Sequence, residues 1–329
     1  MAQLASIRDD IRYGFAVGRV RVLQAKLLTR SVFERLIDAP DFAEQRRILS
    51  ETAFGRYLEQ ASTATDVERA LDASLGDLYD EFLLEAGLPE AVVRFFRLPY
   101  DYRNLRTALK TRVLGLPAPR LSALGTIEPA AFLGTGEQLP GAMCALLTAW
   151  DDAEQPPALS EVETAVDHAL YEALAAEARR SRVAFLRDLM TLRIDLANTR
   201  VLLRANAKRL PGPEVAKAMI GGGSRSIEGL ASEVSRMDAE ELAEAVAGTR
   251  AVPGLDVADL LDLERYDLAA ASLDAARMAS ARMVPSGPEP VLAYVLAREA
   301  EVVALRIVVV GRLSGLERDV VRERLRGVL

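Results

Sequence analysis

Two short segments of this chain place a carboxylate, an amide and a guanidinium at the same helical spacing. The first reads LPYDYRNLRTALKTR (residues 98–112) and the second reads RIDLANTRVLLR (residues 193–204). The groups belong to Asp101, Asn104 and Arg106 in the first segment and to Asp195, Asn198 and Arg200 in the second. On a helix the aspartate and the asparagine share one face with leucines, which predicts a mostly buried polar stripe. Such groups need partners, which are helix N-termini, an arginine of the next helix, or a ligand or partner protein.

A third copy of the pattern, in degraded form, reads REAEVVALRIVVVGR at residues 298–312. Glu301 stands at the position of the aspartate and Arg306 at that of the arginine, while Ala304 replaces the asparagine. We call these three stretches the polar segments. Each of them looks like the polar start of a helix that continues with leucine and arginine.

Acidic residues precede each polar segment at a similar distance. These residues are Glu68 with Asp72, Glu163 with Asp167, and Glu264 with Asp267. A long Ala- and Leu-rich stretch lies between each acidic pair and its polar segment, which indicates repeated helical units of about a hundred residues. The cations Arg103, Arg106 and Lys110 lie opposite the polar stripe, so we expect them to serve partner contact more than folding.

One acidic stretch is compatible with catalysis. DDAEQPP (residues 151–157) is similar to the Asp-rich magnesium motif of all-helical prenyl synthases, in which carboxylates on one helical face hold metal ions and a diphosphate. Here Pro156 and Pro157 end the helix within a turn, and no second Asp-rich motif is present. A prenyl-synthase-like enzyme is therefore an alternative that lacks half of its metal site.

The remaining reactive residue types form no catalytic set. GGGSR (residues 221–225) offers backbone amides and a base, but it lacks the Lys-Ser/Thr of a P-loop. His168 is the single histidine and lies in an Ala-rich helical stretch, which indicates a packed or surface side chain. Cys144 is the single cysteine, so disulfides and thiolate metal sites are excluded. We therefore predict no catalytic residue, no cofactor and no metal.

Composition favours an all-α, soluble, cytoplasmic protein. Half of the 329 residues are apolar, 27% are charged and only 5% are aromatic, and the abundant Ala, Leu and Arg are good helix formers. The net charge of −7 argues against binding to nucleic acid or to anionic lipid. The longest apolar stretch, GAMCALLTAW (residues 141–150), is about half of the ~20 residues that a bilayer-spanning helix needs. No secretory signal is expected.

The three polar segments, together with RYGFAVGRVRVLQAKLL near residue 20, carry a family resemblance. The chain resembles the C subunit of the A/V-type rotary ATPases, the counterpart of the d subunit in vacuolar enzymes. This resemblance extends from one end of the sequence to the other. It implies an all-α, funnel-like protein of three similar helical lobes about a pseudo-three-fold axis, which we place at residues 1–112, 113–206 and 207–329.

The resemblance also implies a role and partners. The protein would be a non-catalytic central-stalk component that links the D–F shaft to the membrane proteolipid ring and transmits torque for ion transport coupled to ATP. It would be a monomer within a hetero-oligomeric complex, bound peripherally to the cytoplasmic side of the membrane. A helical-repeat scaffold for other protein partners is the alternative from a different functional class.

Overall fold

The structure, a computed structural model, describes residues 11–151 and 158–326. Helices account for most of these residues, and neither range contains a β-strand. The all-α fold class is therefore confirmed. The funnel-like, pseudo-three-fold arrangement of three lobes, with divisions near residues 113 and 207, stays a prediction.

The α-helices are numbered here in chain order. They are α1 (Gly14–Gln24), α2 (Arg30–Asp38), α3 (Phe42–Ser50), α4 (Gly55–Leu58), α5 (Ala64–Asp77), α6 (Leu83–Glu85), α7 (Glu90–Val113), α8 (Gly141–Asp151), α9 (Leu159–Ser181), α10 (Ala184–Ala207), α11 (Gly212–Ala218), α12 (Arg225–Gly229), α13 (Ala239–Thr249), α14 (Val257–Leu260), α15 (Leu263–Arg282), α16 (Glu289–Leu305), α17 (Gly311–Leu313) and α18 (Arg318–Arg326). Two stretches are π-helical, Leu78–Phe82 after α5 and Arg306–Val310 after α16. Short 3₁₀ turns occur at Ile11–Tyr13, Pro129–Phe132 and Leu230–Ser232.

The polar segments lie inside helices, so the expectation that they are helix starts is wrong. The first lies in α7, which begins at Glu90 and continues through Pro99. A proline in a helix interior costs about 3 kcal/mol. Phe95 and Phe96 are 3% and 2% exposed, and burying each such side chain contributes roughly 1.5–3 kcal/mol. Burial of the apolar face upstream of the proline therefore outweighs the break.

The described residues form two compact units, residues 11–88 with 275–326 and residues 89–274. In the first unit, α1 and α5 pack against α16 or its π-helical extension, and α2 packs against α3 and α18. In the second unit, α9 packs against both α7 and α10, while α10 also packs against α13. Each polar segment thus lies on a helix that packs against other helices of its unit.

The start of α5 is fixed by a capping box. The hydroxyl of Thr63 accepts a hydrogen bond from the amide of Asp66 (3.2 Å), and the Asp66 carboxylate accepts from the amides of Thr63 (2.9 Å) and Ser62 (3.2 Å). The hydrogen bond from the Thr63 side chain, with those from Ser62 and the Thr63 amide, lowers the pKa of Asp66 to about 2. This cap fixes the residue at which α5, the helix that carries Glu68 and Asp72, begins.

The apolar stretch GAMCALLTAW forms most of α8, which packs against α7 and α9. Met143 and Leu147 are 2% and 0% exposed, so this segment contributes to the protein core. None of the described helices is both long enough and apolar enough to cross a lipid bilayer.

Candidate functional site

The carboxylate and the amide of the first polar segment bind the backbone of a loop that follows α7. Asp101 accepts hydrogen bonds from the amide of Thr126 (3.0 Å to each oxygen), from the hydroxyl of Thr126 (2.8 Å) and from the amide of Ile127 (3.1 Å). The Asn104 side chain accepts from the amide of Ser122 (2.8 Å) and donates to its carbonyl (2.7 Å). The two side chains together hold both ends of the loop stretch 122–127, an arrangement that we call a clamp.

The second polar segment forms the same clamp. Asp195 accepts hydrogen bonds from the amide and from the hydroxyl of Ser224, each at 2.6 Å. Asn198 accepts from the amide of Ile220 (2.7 Å) and donates to the carbonyl of the same residue (2.8 Å). Ile220 and Ser224 are four positions apart in sequence, as are Ser122 and Thr126 in the first clamp. The aspartate and the asparagine of both copies therefore bind loop residues at the same spacing.

The third polar segment binds a loop with a longer carboxylate and without the amide. Glu301 accepts a hydrogen bond from the amide of Leu28, and its other oxygen accepts from the guanidinium of Arg298 (2.6 Å). That guanidinium also lies over the ring of Phe54, 4.1 Å from the ring centroid. Ala304, at the position of the asparagine, is fully buried. At this site an arginine binds the carboxylate, and an alanine side chain cannot make the loop contact that the asparagines make in the other two copies.

A glycine precedes the bound hydroxyl residue in each of the first two clamps. A Cβ atom on Gly125 would overlap Oδ1 of Asp101, and one on Gly223 would lie 2.6 Å from Oδ1 of Asp195. Both carboxylates therefore approach the backbone where only glycine leaves room. In the third copy Leu27 precedes the bound amide of Leu28, and the carboxylate there is that of Glu301, which is one methylene longer than aspartate.

The three carboxylates are shielded from water. Asp101, Asp195 and Glu301 are 0%, 1% and 4% exposed. Burial raises the pKa of each above its ordinary value, although the hydrogen bonds that they accept act in the opposite direction. The structure places the aspartates in the buried, hydrogen-bonded setting expected of the polar stripe. Their chemistry is that of fixing backbone, and a role toward a partner protein stays a prediction.

The cation of the first polar segment joins two helices. Arg106 on α7 pairs with Asp167 on α9, and Lys110, one turn later, pairs with Glu163 at 2.6 Å. The order of the pairs reverses along α9, as it must between antiparallel helices. Arg106 and Lys110, which we expected to face a partner protein, are thus engaged within the chain, while Arg103 stacks on Tyr100 at 4.9 Å.

The other two polar segments repeat this connection. Arg200 on α10 pairs with Asp267 on α15 at 2.7 Å. Arg306 pairs with two residues of α5, Glu68 (2.9 Å) and Asp72. In the first two copies the arginine pairs with an acidic residue that follows it along the chain, and in the third it pairs with the two acidic residues nearest the N-terminus. The acidic pairs and the polar segments are therefore two halves of one repeated contact.

We expect the Arg306 connection to stabilise the protein more than the Arg200 connection. Arg306 is 20% exposed and has two carboxylate partners, whereas Arg200 is 44% exposed and has one. Arg306→Met should lower the free energy of unfolding by about 1–3 kcal/mol, between the values for exposed and buried pairs, and Arg200→Met by about 0–1 kcal/mol. Urea denaturation of both variants measures the difference, and equal losses would contradict the ranking.

The other residues and motifs singled out in the sequence take part in packing or in hydrogen bonds to the backbone where the structure describes them. Nε2 of His168 lies 3.0 Å from the carbonyl oxygen of Ala218, which can only accept, so this nitrogen carries the proton. Cys144 is partly buried against the core of the second unit. The amide and hydroxyl of Ser224, within GGGSR, are bound by Asp195. In DDAEQPP, residues 152–157 lie outside the described residues, and no cluster of His, Cys, Asp or Glu within the described ranges could hold a metal ion.

Sequence reasoning missed the residues on the loop side of the clamps. These are Ser122, Gly125, Thr126, Ile127, Ile220, Gly223, Ser224 and Leu28, together with Arg298 on α16. The signal that could have identified two of the loops is a glycine followed by a hydroxyl residue, LGT and GGS, in a loop segment that follows each Asp-x-x-Asn.

Comparison with known proteins extends over nearly the whole chain. The family model described as ATP synthase (C/AC39) subunit matches residues 16–324. The chain is 29% identical over 335 residues to the C subunit of the V-type ATP synthase of Thermus thermophilus, an alignment that covers 96% of this chain and 98% of that protein. It is 27% identical over 341 residues to the C subunit of the A-type ATP synthase of Thermococcus kodakarensis, with 94% and 89% covered. Since the family match runs from α1 into α18 and includes all three polar segments, this chain belongs to the ATP synthase (C/AC39) subunit family, as a non-catalytic C subunit of the A/V type.

Proposed function

We propose that this chain is the central-stalk component that links a D–F shaft to a membrane proteolipid ring and transmits torque between them. In this role it is a peripheral subunit on the cytoplasmic side of the membrane, present as one copy in a hetero-oligomeric complex, and it needs no cofactor. The observation that carries the proposal is the family match across residues 16–324.

The repeated contacts support a mechanical role. Each of the helices α7, α10 and α16, with the π-helical extension of α16, is held by a buried carboxylate that binds a loop and by an arginine that binds a neighbouring helix. A part that carries torque must resist rotation of its helices against one another. Close packing together with satisfied buried polar contacts supplies that stiffness.

The proposal is tested by omitting the chain from a reconstituted complex. We expect ATP-driven ion uptake into vesicles to be lost without it and restored when the purified chain is added, because shaft and ring are then rejoined. ATP hydrolysis by the catalytic head should persist in both cases, and the purified chain alone should hydrolyse no ATP. Ion uptake that is equally fast without the chain would contradict the proposal.

The variant Asp195→Ala tests binding to the shaft and binding to the ring separately. If the clamps hold the helices that receive the shaft, Asp195→Ala should bind the proteolipid ring as the parent does but bind the D–F shaft less well. The exposed Asp319→Ala is the matched control, since its side chain is 95% exposed. Equal shaft binding by parent and Asp195→Ala would show that shaft binding does not depend on the second clamp.

A further inference from the structure

The helix pair α10–α15 lacks a counterpart of one of the ion pairs that join α7 to α9, Lys110–Glu163. Arg200–Asp267 corresponds to Arg106–Asp167. One turn farther along, Arg204 stands in register with Lys110, but the residue in register with Glu163 is Leu263. The second copy of the contact therefore keeps its cation and has lost the carboxylate.

The cations at this place are unpaired. Within residues 11–151 and 158–326, the side chains of Arg204 and of Lys208, one turn later, have no hydrogen-bond or ion-pair partner, and both residues are exposed. Glu264, the carboxylate next to Leu263 in sequence, makes no ion pair with either of them. Two positive charges therefore lie at the C-terminal end of α10, Arg204 in its last turn and Lys208 directly after it.

A groove of about 460 Å³ opens beside these cations, where the end of α10 meets α13 and α14. Its apolar surface is made by leucines: Leu203, Leu242, Leu260, Leu261 and Leu263. Leu261 is 47% exposed, whereas its neighbour Leu260 is 3% exposed. The combination is a concave apolar surface with positive charge on its edge.

We infer that this groove docks an amphipathic segment of another protein in the same complex, whose apolar side chains fill the leucine surface and whose carboxylate pairs with Arg204. The inference rests on the proposed function, because the partner is sought among the proteins of that complex. The first copy of the contact indicates the chemistry, since Glu163 provides that carboxylate there. A concave groove of this size fits inserted side chains, whereas binding to a lipid surface needs a protruding apolar face.

Photo-crosslinking in the assembled complex tests the inference. With Leu261 replaced by p-benzoylphenylalanine, irradiation should link this chain to one other protein of the complex, at a segment that contains Asp or Glu and apolar residues. Arg204→Glu should lower the yield about tenfold, the effect of ~1.4 kcal/mol of lost binding. Reversing the charge of the crosslinked segment's carboxylate should restore it.

Control variants distinguish failure of the groove inference from failure of the proposed function. p-Benzoylphenylalanine at Leu133, which is 48% exposed and lies outside the groove, should not give this crosslink, and Arg204→Gln should give an intermediate yield. No protein crosslink from position 261 in a complex that contains the chain, or a crosslink that Arg204→Glu leaves unchanged, overturns the groove inference alone. If the chain does not assemble with the other proteins of the complex, the proposed function fails and the inference fails with it.

Discussion

Asp101→Ala should lower the free energy of unfolding by about 3–5 kcal/mol, the largest loss that we expect from a single truncation in this chain. The carboxylate is fully buried and accepts hydrogen bonds from two amides and one hydroxyl. Each buried donor that loses its acceptor costs about 1–3 kcal/mol. The loss of stability is partly offset because Asp101→Ala also removes a buried charge. Burial disfavours the charged form of this carboxyl group, as the raised pKa of Asp101 indicates.

The second clamp provides a graded comparison. Asp195 binds one amide and one hydroxyl, so Asp195→Ala should cost about 2–4 kcal/mol, less than Asp101→Ala. Asp319→Ala removes a carboxylate that is 95% exposed and should cost less than about 1 kcal/mol. Urea denaturation followed by circular dichroism measures all three. If Asp101→Ala unfolds like Asp319→Ala, the clamp does not stabilise the fold and its carboxylates serve another purpose.

Much of the fold follows from local pattern. Apolar residues at three- and four-residue spacing predicted helices because a helix that buries one face must follow this period whatever it packs against. The first residue of α7 was harder to predict from the sequence, because local preference alone places a helix start at Pro99. The burial of Phe95 and Phe96, which reverses that preference, depends on tertiary contacts that local pattern does not contain.

The candidate site was predictable in parts. Repetition identified the carboxylates, the amides and the acidic pairs because each keeps its spacing along the chain. It could not reveal that the arginines pair with the acidic residues, since Arg306 and Glu68 lie far apart in sequence. The third copy looked degraded because Ala304 replaced the amide. In the structure its carboxylate, Glu301, binds the amide of Leu28 and the guanidinium of Arg298 on the same helix.

Gly125→Ala should disrupt the first clamp although it adds a single methyl group. The added Cβ would overlap Oδ1 of Asp101 and would lie 3.3 Å from the backbone nitrogen of the same residue. That nitrogen belongs to α7, so the backbone cannot move away easily. The carboxylate must therefore rotate away from Thr126 and Ile127. We expect a loss of about 1–3 kcal/mol, typical of overpacking in a rigid interior.

Two comparisons show whether the carboxylate is the cause of that loss. Gly248→Ala in α13, where an added Cβ meets nothing within 4 Å, should stabilise the protein by about 0.5–1 kcal/mol. In the Asp101→Ala background the overlapping atom is absent, so Gly125→Ala should cost much less than in the parent, with a coupling energy of about 1 kcal/mol or more. Denaturation of the four proteins of this double-mutant cycle measures the coupling. Additive losses would mean that Gly125 is required by the path of the loop itself and not by the carboxylate that holds it.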